Sequence, residues 1–273
     1  MKIRSGWAKY QTYGPVEGRC NLCGKQARLT EDHIPPKGSP RVSAVALQSL
    51  LQRLTATEAG GKARRSQSGV KFRSLCAACN NGVIGRYDRE YCDFTNEVAS
   101  RLRSPLMLPP RLAIRARPQR LMRAVVGHLL AFGFNRPPEG DMNEALARFV
   151  LNESLPLPPQ AGLYYWAFPA REQVVIRDVV YLELKQGLDQ PFVFNLLKVF
   201  PTAFFLTWQQ PEALGFLVES FEPYRSVGID EEAELPLALT GLPPAMWPEA
   251  PTETSTVLYG GDPLHATPLG RAP

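Results

Sequence analysis

Two identical cysteine spacings, Cys20-Asn21-Leu22-Cys23 and Cys76-Ala77-Ala78-Cys79, bracket the tripeptide Glu31-Asp32-His33. The two thiolates of each pair can bind one ion, and four thiolates complete the tetrahedral shell of a structural zinc site. Four of the five cysteines fall into these pairs, a regularity that unrelated cysteines or two disulfides would not require. The sequence therefore predicts one structural zinc ion, and it leaves Cys92 as a buried, inert thiol. The predicted ligands are Cys20, Cys23, Cys76 and Cys79.

The interval between the two cysteine pairs is too long for a simple zinc ribbon. Cys23 and Cys76 are more than fifty residues apart, whereas a ribbon separates its pairs by roughly 15–20 residues. The interval must therefore hold structure of its own. It contains Leu29-Thr30-Glu31-Asp32-His33-Ile34-Pro35-Pro36, in which an acid and a histidine precede two prolines.

These motifs resemble the zinc-stapled form of the HNH, or ββα-metal, endonuclease family. The resemblance covers about residues 19–98 and depends on the first cysteine pair, the string Asp32-His33-Ile34-Pro35-Pro36, and the second pair running into Asn80-Asn81. It implies an N-terminal ββα-metal module that hydrolyses phosphodiester bonds with the help of one divalent ion, Mg²⁺ or Mn²⁺.

The resemblance also implies a role for each motif residue. His33 matches the general base that takes a proton from the attacking water, and Asp32 matches an acidic ligand of the divalent ion. Asn80 stands at the third letter of the motif, where an amide oxygen can bind a hard cation. Asn81 is the neighbouring candidate for the same role. Asp88 matches an acidic position for which we expect a structural role.

The motif departs from the family pattern at one point. The central asparagine, which braces the loop that carries the base, has no match in residues 70–74. The types of the remaining residues still suit the chemistry, because histidine titrates near neutral pH and oxygen ligands hold a cation on the phosphate. Among the three histidines we favour His33 over His128 and His265, because only His33 lies between an acid and a cysteine pair.

Charge is distributed unevenly along the chain. Residues 1–125 carry 23 Lys and Arg against 8 Asp and Glu, a net charge of +15, whereas residues 126–273 carry a net charge of −10. A basic surface attracts phosphates and gains free energy by releasing counterions. We therefore expect the N-terminal half to bind nucleic acid. The basic residues expected to contact it are Lys37, Lys62, Arg64, Arg65, Lys71, Arg73 and Arg86.

Hydrophobic periodicity predicts the main elements. Helices are expected over residues 41–54, 79–103, 120–134 and 142–151, with a polar loop over 57–69 and a strand over 70–75. Alternating apolar and β-branched residues predict further strands. These strands are expected over residues 163–168, 174–184, 192–198, 203–208 and 214–221.

The predicted fold class is α+β, with the zinc-stapled module followed by a domain that has a mainly antiparallel sheet. We place the nuclease domain at residues 1–104 and a Pro- and Arg-rich linker at 105–118. A regulatory or assembly domain follows at 119–235, and an irregular Pro-rich tail at 236–273.

The sequence leads to one functional expectation and two alternatives. We expect a metal-dependent endonuclease that cuts DNA, with a C-terminal domain that mediates control, homo-oligomerisation or a protein contact. The family often serves in defence against phage or in mobile elements. The alternatives are a non-catalytic zinc-containing nucleic-acid-binding protein and an RNA-directed nuclease. Zinc-binding thiols and the lack of an apolar leader or membrane span favour the cytoplasm.

Overall fold

The structure is a computed structural model that shows a mixed α/β fold. The strand pairs in the described part of the chain are antiparallel, which confirms the mixed class with mainly antiparallel sheets. The structure describes residues 10–40, 43–55, 63–183, 191–209, 218–251, 253, 255–259 and 263–269.

The elements follow one another in this order. The strands are β1 (Glu17–Arg19), β2 (Gln26–His33), β3 (Val45–Ser49), β4 (Arg64–Ser66), β5 (Lys71–Cys76), β6 (Arg111–Ala116), β7 (Ala161–Ala167), β8 (Gln173–Glu183), β9 (Phe192–Val199), β10 (Thr202–Trp208), β11 (Glu219–Ser220), β12 (Ala233–Ala238), β13 (Ser255–Tyr259) and β14 (Leu264–Pro268). The helices are α1 (Leu50–Thr55), α2 (Gly85–Leu102), α3 (Pro118–Ala131) and α4 (Gly140–Leu151), with a π-helical segment (Ala78–Ile84) leading into α2 and a short 3₁₀ turn (Glu222–Tyr224).

A small sheet in the order β1-β2-β5 carries the cysteine pairs and the Asp32-His33 dipeptide. Strand β2 lies antiparallel to β5 and changes register between Thr30 and Glu31, which marks a bulge. The chain then runs from β5 through the π-helical segment into α2. The expected strand over residues 70–75 and the expected helix over 79–103 are therefore confirmed, apart from the π-helical start.

The larger sheet joins both halves of the sequence. Its order is β11-β7-β10-β9-β8-β14-β3-β4, and β13 also pairs with β8. Strands β13 and β14 come from the segment expected to be an irregular tail, so that expectation is wrong for these residues. The prolines do not prevent pairing because Pro263 and Pro268 lie at the ends of β14, while Leu264 and Ala266 are buried between them.

Two other expectations about local structure need correction. Within residues 43–54 the chain forms β3 and then the short helix α1, in place of one helix. Val45 and Leu47 alternate with less buried neighbours, and the pairing of β3 with β14 decides in favour of the strand. The segment expected to be a linker contains β6, which pairs with β12 as a two-stranded sheet. In the predicted loop over 57–69, Arg64–Ser66 instead form β4 beside β3, and residues 57–62 lie outside the described part.

Helix α3 lies at the centre of the molecule. All of its residues from Leu121 to Ala131 are buried, as expected for a helix that is surrounded by other elements. It contacts α2, α4, the π-helical segment and the small sheet, and it also contacts β8 and β9 of the larger sheet. One hydrophobic cluster therefore includes residues of both predicted domains. Independent folding of residues 1–104 stays a prediction.

Candidate functional site

The four predicted zinc ligands lie together beside the small sheet. Their Sγ atoms are all within 4.8 Å of one another. The first pair sits in a tight turn in which the Gly24 amide donates to the Cys20 carbonyl at 2.9 Å. Gly24 has a φ of +70°, a conformation that glycine adopts without steric cost. The second pair spans the end of β5 and the start of the π-helical segment.

The thiols of the cluster interact with one another. The amide of Cys76 donates to the Sγ of Cys20 at 3.3 Å, and a hydrogen bond from the Cys79 thiol is the largest cause that lowers the pKa of Cys20, to about 4. The same contact raises the pKa of Cys79. Thiolates are the metal-binding form of cysteine, and four of them fit a closed tetrahedral site. The cluster can therefore hold a metal ion such as zinc.

Cys92 is separate from the cluster. It is half-buried on α2, with its Sγ 3.9 Å from the hydroxyl of Ser39. Burial raises the pKa of its thiol, which favours the unreactive, protonated form.

The first cysteine pair is held by the chain that follows α3. Asn21 is fully buried; its side-chain amide donates to the Gly133 carbonyl at 3.2 Å, and its Oδ1 accepts from the Arg136 amide at 2.9 Å. The hydroxyl of Ser74 on β5 donates to the Ala131 carbonyl at 2.6 Å. These contacts fix the position of the small sheet against α3.

Neighbouring residues at the end of β2 face opposite sides of the sheet, because side chains alternate along a strand. Asp32 points inward and is 4% exposed. His33 is half-buried. In the register of β2 with β5, His33 lies opposite Lys71 and Glu31 lies opposite Arg73. Glu31, His33, Lys71 and Arg73 therefore share the outer face of the small sheet.

Burial and nearby charges shift the pKa of His33. Burial is the largest cause that lowers its pKa; Lys71 and Lys37 act in the same direction, while Asp32 and Glu31 oppose them. The net shift is downward from the usual 6.5. The imidazole is therefore mainly neutral at pH 7 and can accept a proton.

Asn80 lies against the strand that carries Asp32 and His33. Its side-chain Nδ2 donates to the Thr30 hydroxyl at 2.9 Å and to the Glu31 carbonyl at 3.0 Å. No hydrogen bond to its Oδ1 occurs among the described residues, so that oxygen stays available. Asn81 is exposed and has no side-chain hydrogen bond within the same part of the chain. Of the two asparagines that the sequence left open, the structure brings Asn80 to the strand.

A third histidine joins the site from α3. His128 is fully buried, with its Nδ1 2.8 Å from Oδ2 of Asp32 and its Nε2 2.9 Å from Oδ1 of Asp88. Burial opposes a charge on this ring, but the two carboxylates outweigh burial and raise the pKa of His128 to about 10. His128 therefore bridges Asp32 on β2 and Asp88 on α2; the structural role expected for Asp88 stays a prediction.

Sequence reasoning passed over His128 because it lies far from the cysteine motifs. One signal was present: His128 follows Leu121 by seven residues and Val125 by three, so it falls on the apolar stripe of the predicted helix. A histidine on a buried stripe needs a polar partner. The partner itself could not be read from the sequence.

The basic residues expected to contact nucleic acid have different surroundings. Lys37 and Arg65 are exposed and form no ion pair with any residue that the structure describes. Lys71 and Arg73 pair with Glu31, at 2.5 and 3.7 Å. Arg86 pairs with Glu153 at 3.3 Å. Lys62 lies outside the described residues.

Arg64 forms a compact group with an exposed aromatic ring. Its guanidinium donates to the Tyr10 carbonyl and the Thr12 hydroxyl, at 3.3 and 2.8 Å. It also lies 4.6 Å from the ring centroid of Tyr13, which is 53% exposed. Arg73 is 5.9 Å from the same centroid. This group therefore borders the outer face that carries His33.

Part of the positive charge of residues 1–125 is neutralised by ion pairs within the molecule. Six arginines of residues 1–125 form ion pairs with acidic side chains of residues 126–273. The pairs are Arg19–Glu139, Arg86–Glu153, Arg111–Glu219, Arg115–Glu232, Arg117–Glu232 and Arg120–Asp230.

No family model, curated protein or solved structure matches this chain. Across the described residues, none of the helices has the length and apolar character needed to cross a membrane.

Proposed function

We propose that this chain is a metal-dependent endonuclease of the zinc-stapled HNH kind. The observation that carries the proposal is the hydrogen bond from Asn80 to the Glu31 carbonyl. It brings the residue at the third letter of the motif next to the strand end that carries Asp32 and His33. Asn80 thus lies beside the strand that carries the other two motif residues, although more than forty positions separate it from them in the sequence.

Each residue then has a defined task. His33, neutral at pH 7, accepts a proton from the water that attacks the phosphodiester. Asp32 and Asn80 offer oxygen ligands to one Mg²⁺ or Mn²⁺ ion, and the Nδ2 contacts of Asn80 turn its Oδ1 away from the strand. An ion bound there would stabilise charge on the scissile phosphate. Zinc on the four cysteines has a structural role, because all four positions of its shell are filled by protein.

The outer face of the small sheet is the surface that we assign to nucleic acid. It carries His33, Lys71 and Arg73, and the exposed Lys37 follows on the next loop. Positive side chains near the base attract the phosphate backbone. We propose DNA as the substrate; RNA is the alternative, because base-reading side chains are not identified on this face.

A second candidate is a zinc-containing protein that binds nucleic acid without cutting it. The observation that favours it is the burial of Asp32, whose Oδ2 is already bound by His128. In that case Asp32 would only support the fold.

The distinguishing experiment incubates the zinc-loaded full chain with single- and double-stranded DNA and RNA. Each substrate is assayed with Mg²⁺, Mn²⁺ or EDTA. We expect cleavage that needs the divalent ion and that falls by about 10²–10⁴-fold in His33→Ala. Gln26→Ala, at the exposed start of β2, is the matched control and should cut at the wild-type rate. Binding without products under all conditions would support the second candidate, and an unchanged rate in His33→Ala would refute the assignment of the base.

The resemblance further leads us to propose an effector role in phage defence or in a mobile element. The test is plaque formation on cells that express the wild type or His33→Ala. Protection that depends on His33 supports this role, and equal plaque numbers count against it.

A further inference from the structure

The inference concerns His128 and rests on the proposed function. Asp32 and Asp88 come from β2 and α2, and the His128 ring of α3 lies between them with one nitrogen on each carboxylate. The ring is fully buried, and the edge of Tyr91 contacts it at a centroid distance of 6.3 Å. Two opposed hydrogen bonds fix the orientation of the ring.

The same geometry fixes the carboxylate of Asp32. Its Oδ2 is held by Nδ1 of His128 at 2.8 Å, and Asp32 is almost completely buried. Rotation of the carboxylate would break this bond and leave a buried donor unpaired, which costs roughly 1–3 kcal/mol. Only Oδ1 is then left for a further ligand. Loss of a hydrogen-bond partner of a metal ligand typically lowers the affinity for the metal by 10–100-fold.

We propose that His128 is a positioning residue that orients Asp32 toward the divalent ion. It holds Asp32 through Nδ1 and is itself held by Asp88 through Nε2. Because His128 lies on α3, beyond residues 19–98 that carry the family resemblance, the ion site is complete only with the C-terminal part of the chain.

Two amide substitutions separate positioning from a general role in packing. The Nδ2 of asparagine occupies about the place of histidine Nδ1, so His128→Asn keeps a donor for Asp32. The Nε2 of glutamine occupies about the place of histidine Nε2, so His128→Gln keeps a donor for Asp88 only. Both variants leave a polar amide in the same buried position. His265→Gln is the control, because His265 is also buried but hydrogen-bonds Gln48 in the other sheet.

The measurement is Mn²⁺ binding to the zinc-loaded full chain, followed by the electron paramagnetic resonance signal of free Mn²⁺. Wild type, Asp32→Asn and the three histidine variants are compared, with thermal unfolding recorded for each. We expect the dissociation constant for Mn²⁺ to rise about 10–100-fold in His128→Gln and to stay within about threefold of wild type in His128→Asn. His265→Gln should bind as wild type. If neither His128 variant folds, Asp88→Asn replaces them, with an expected loss of several-fold in affinity.

Several results would overturn the inference. These are equal Mn²⁺ affinity in wild type and His128→Gln, equal losses in both amide variants, or a wild-type affinity that Asp32→Asn does not change. If Asp88→Asn is the variant used, a Mn²⁺ affinity equal to that of the wild type would also overturn the inference. Asp32- and His128-dependent Mn²⁺ binding in a protein that cleaves no nucleic acid would support the inference while refuting the nuclease proposal.

Discussion

Asp32 and His33 are neighbours at the end of β2, but their side chains lie in different environments. The inward carboxylate is held by His128, whereas the outward imidazole shares a face with Lys71 and Arg73. In the proposed reaction this separation keeps the metal ligand rigid and leaves the base open to water and phosphate. Alternation along β2 is the physical origin of the division.

A single ligand of the cysteine cluster should decide whether zinc is retained. Structural zinc contributes about 10–16 kcal/mol in small modules, which matches or exceeds the 5–15 kcal/mol stability of a typical protein. We expect Cys79→Ser to lose the metal and to unfold the small sheet. Cys92→Ser should keep one zinc per chain, because Cys92 lies outside the cluster. Elemental analysis and circular dichroism test this; a well-folded Cys79→Ser protein without zinc would contradict it.

His265 should make stability fall in mild acid. Burial, followed by the charge of Arg53, lowers its pKa to about 4, whereas the unfolded chain titrates near 6.5. The unfolded state therefore binds the proton first, and stability is lost as pH falls from about 6.5 to about 4, by about 3 kcal/mol. Urea titrations between pH 7 and pH 4 should show a smaller loss for His265→Gln. An identical pH dependence in both proteins would refute the contribution of this residue.

The candidate site was predictable from the sequence where it depends on short motifs. The cysteine pairs, Asp32, His33 and Asn80 are recognisable because each motif spans only a few residues. His128 contacts Asp32 across 96 positions of the chain, and periodicity reveals only that it is buried. A contact of that separation depends on the packing of α3, which no local pattern encodes.

The elements were predicted well where periodicity and context agree. Helices α3 and α4 and strands β7 to β10 fall within a few residues of their expected bounds. Residues 45–49 were assigned wrongly because a short apolar run suits both a helix and a strand. The deciding contact, β3 with β14, joins positions more than two hundred residues apart. Pairing with a distant edge also converts part of the Pro-rich tail into strands.

Helix α3 approaches the π-helical segment closely, and this contact should be sensitive to size. A Cβ on Gly127 would lie 3.0 Å from a side-chain carbon of Ile84, in the segment that carries Asn80. We expect Gly127→Val to destabilise the protein by about 1–3 kcal/mol through overpacking. Gly82→Ala is the matched control, since nothing lies within 4 Å of its Cβ, and it should be neutral or stabilising by up to about 1 kcal/mol. Urea unfolding decides; equal effects of the two substitutions would contradict the account.

The whole molecule combines the two predicted domains in one core. Phe72 of β5 packs on Phe132 at the end of α3, at 4.8 Å between ring centroids. Six arginines of the basic half also pair with the acidic half. Each exposed pair contributes only about 0–1 kcal/mol, so the shared apolar core supplies most of the attachment. The charge asymmetry of the sequence thus reflects ion pairs between the two halves of the chain as well as a basic outer surface.

A fragment of residues 1–118 should therefore fail to fold. It lacks α3, and with it the partners of Asp32, Phe72 and Ser74. We expect weak circular dichroism, loss of zinc and no cleavage of DNA. A folded fragment that cuts faster than the full chain would instead support the expectation that the C-terminal part restrains the nuclease.

The most direct test of the central claim is chemical rescue of the base. The rate of DNA cleavage by zinc-loaded His33→Ala is measured in Mn²⁺ with and without added imidazole, beside the wild type. The account predicts a rate reduced by about 10²–10⁴-fold without imidazole and a saturable recovery of at least about tenfold with it, because the small base enters the space that the side chain leaves. A wild-type rate in His33→Ala without imidazole would contradict the claim that His33 is the general base.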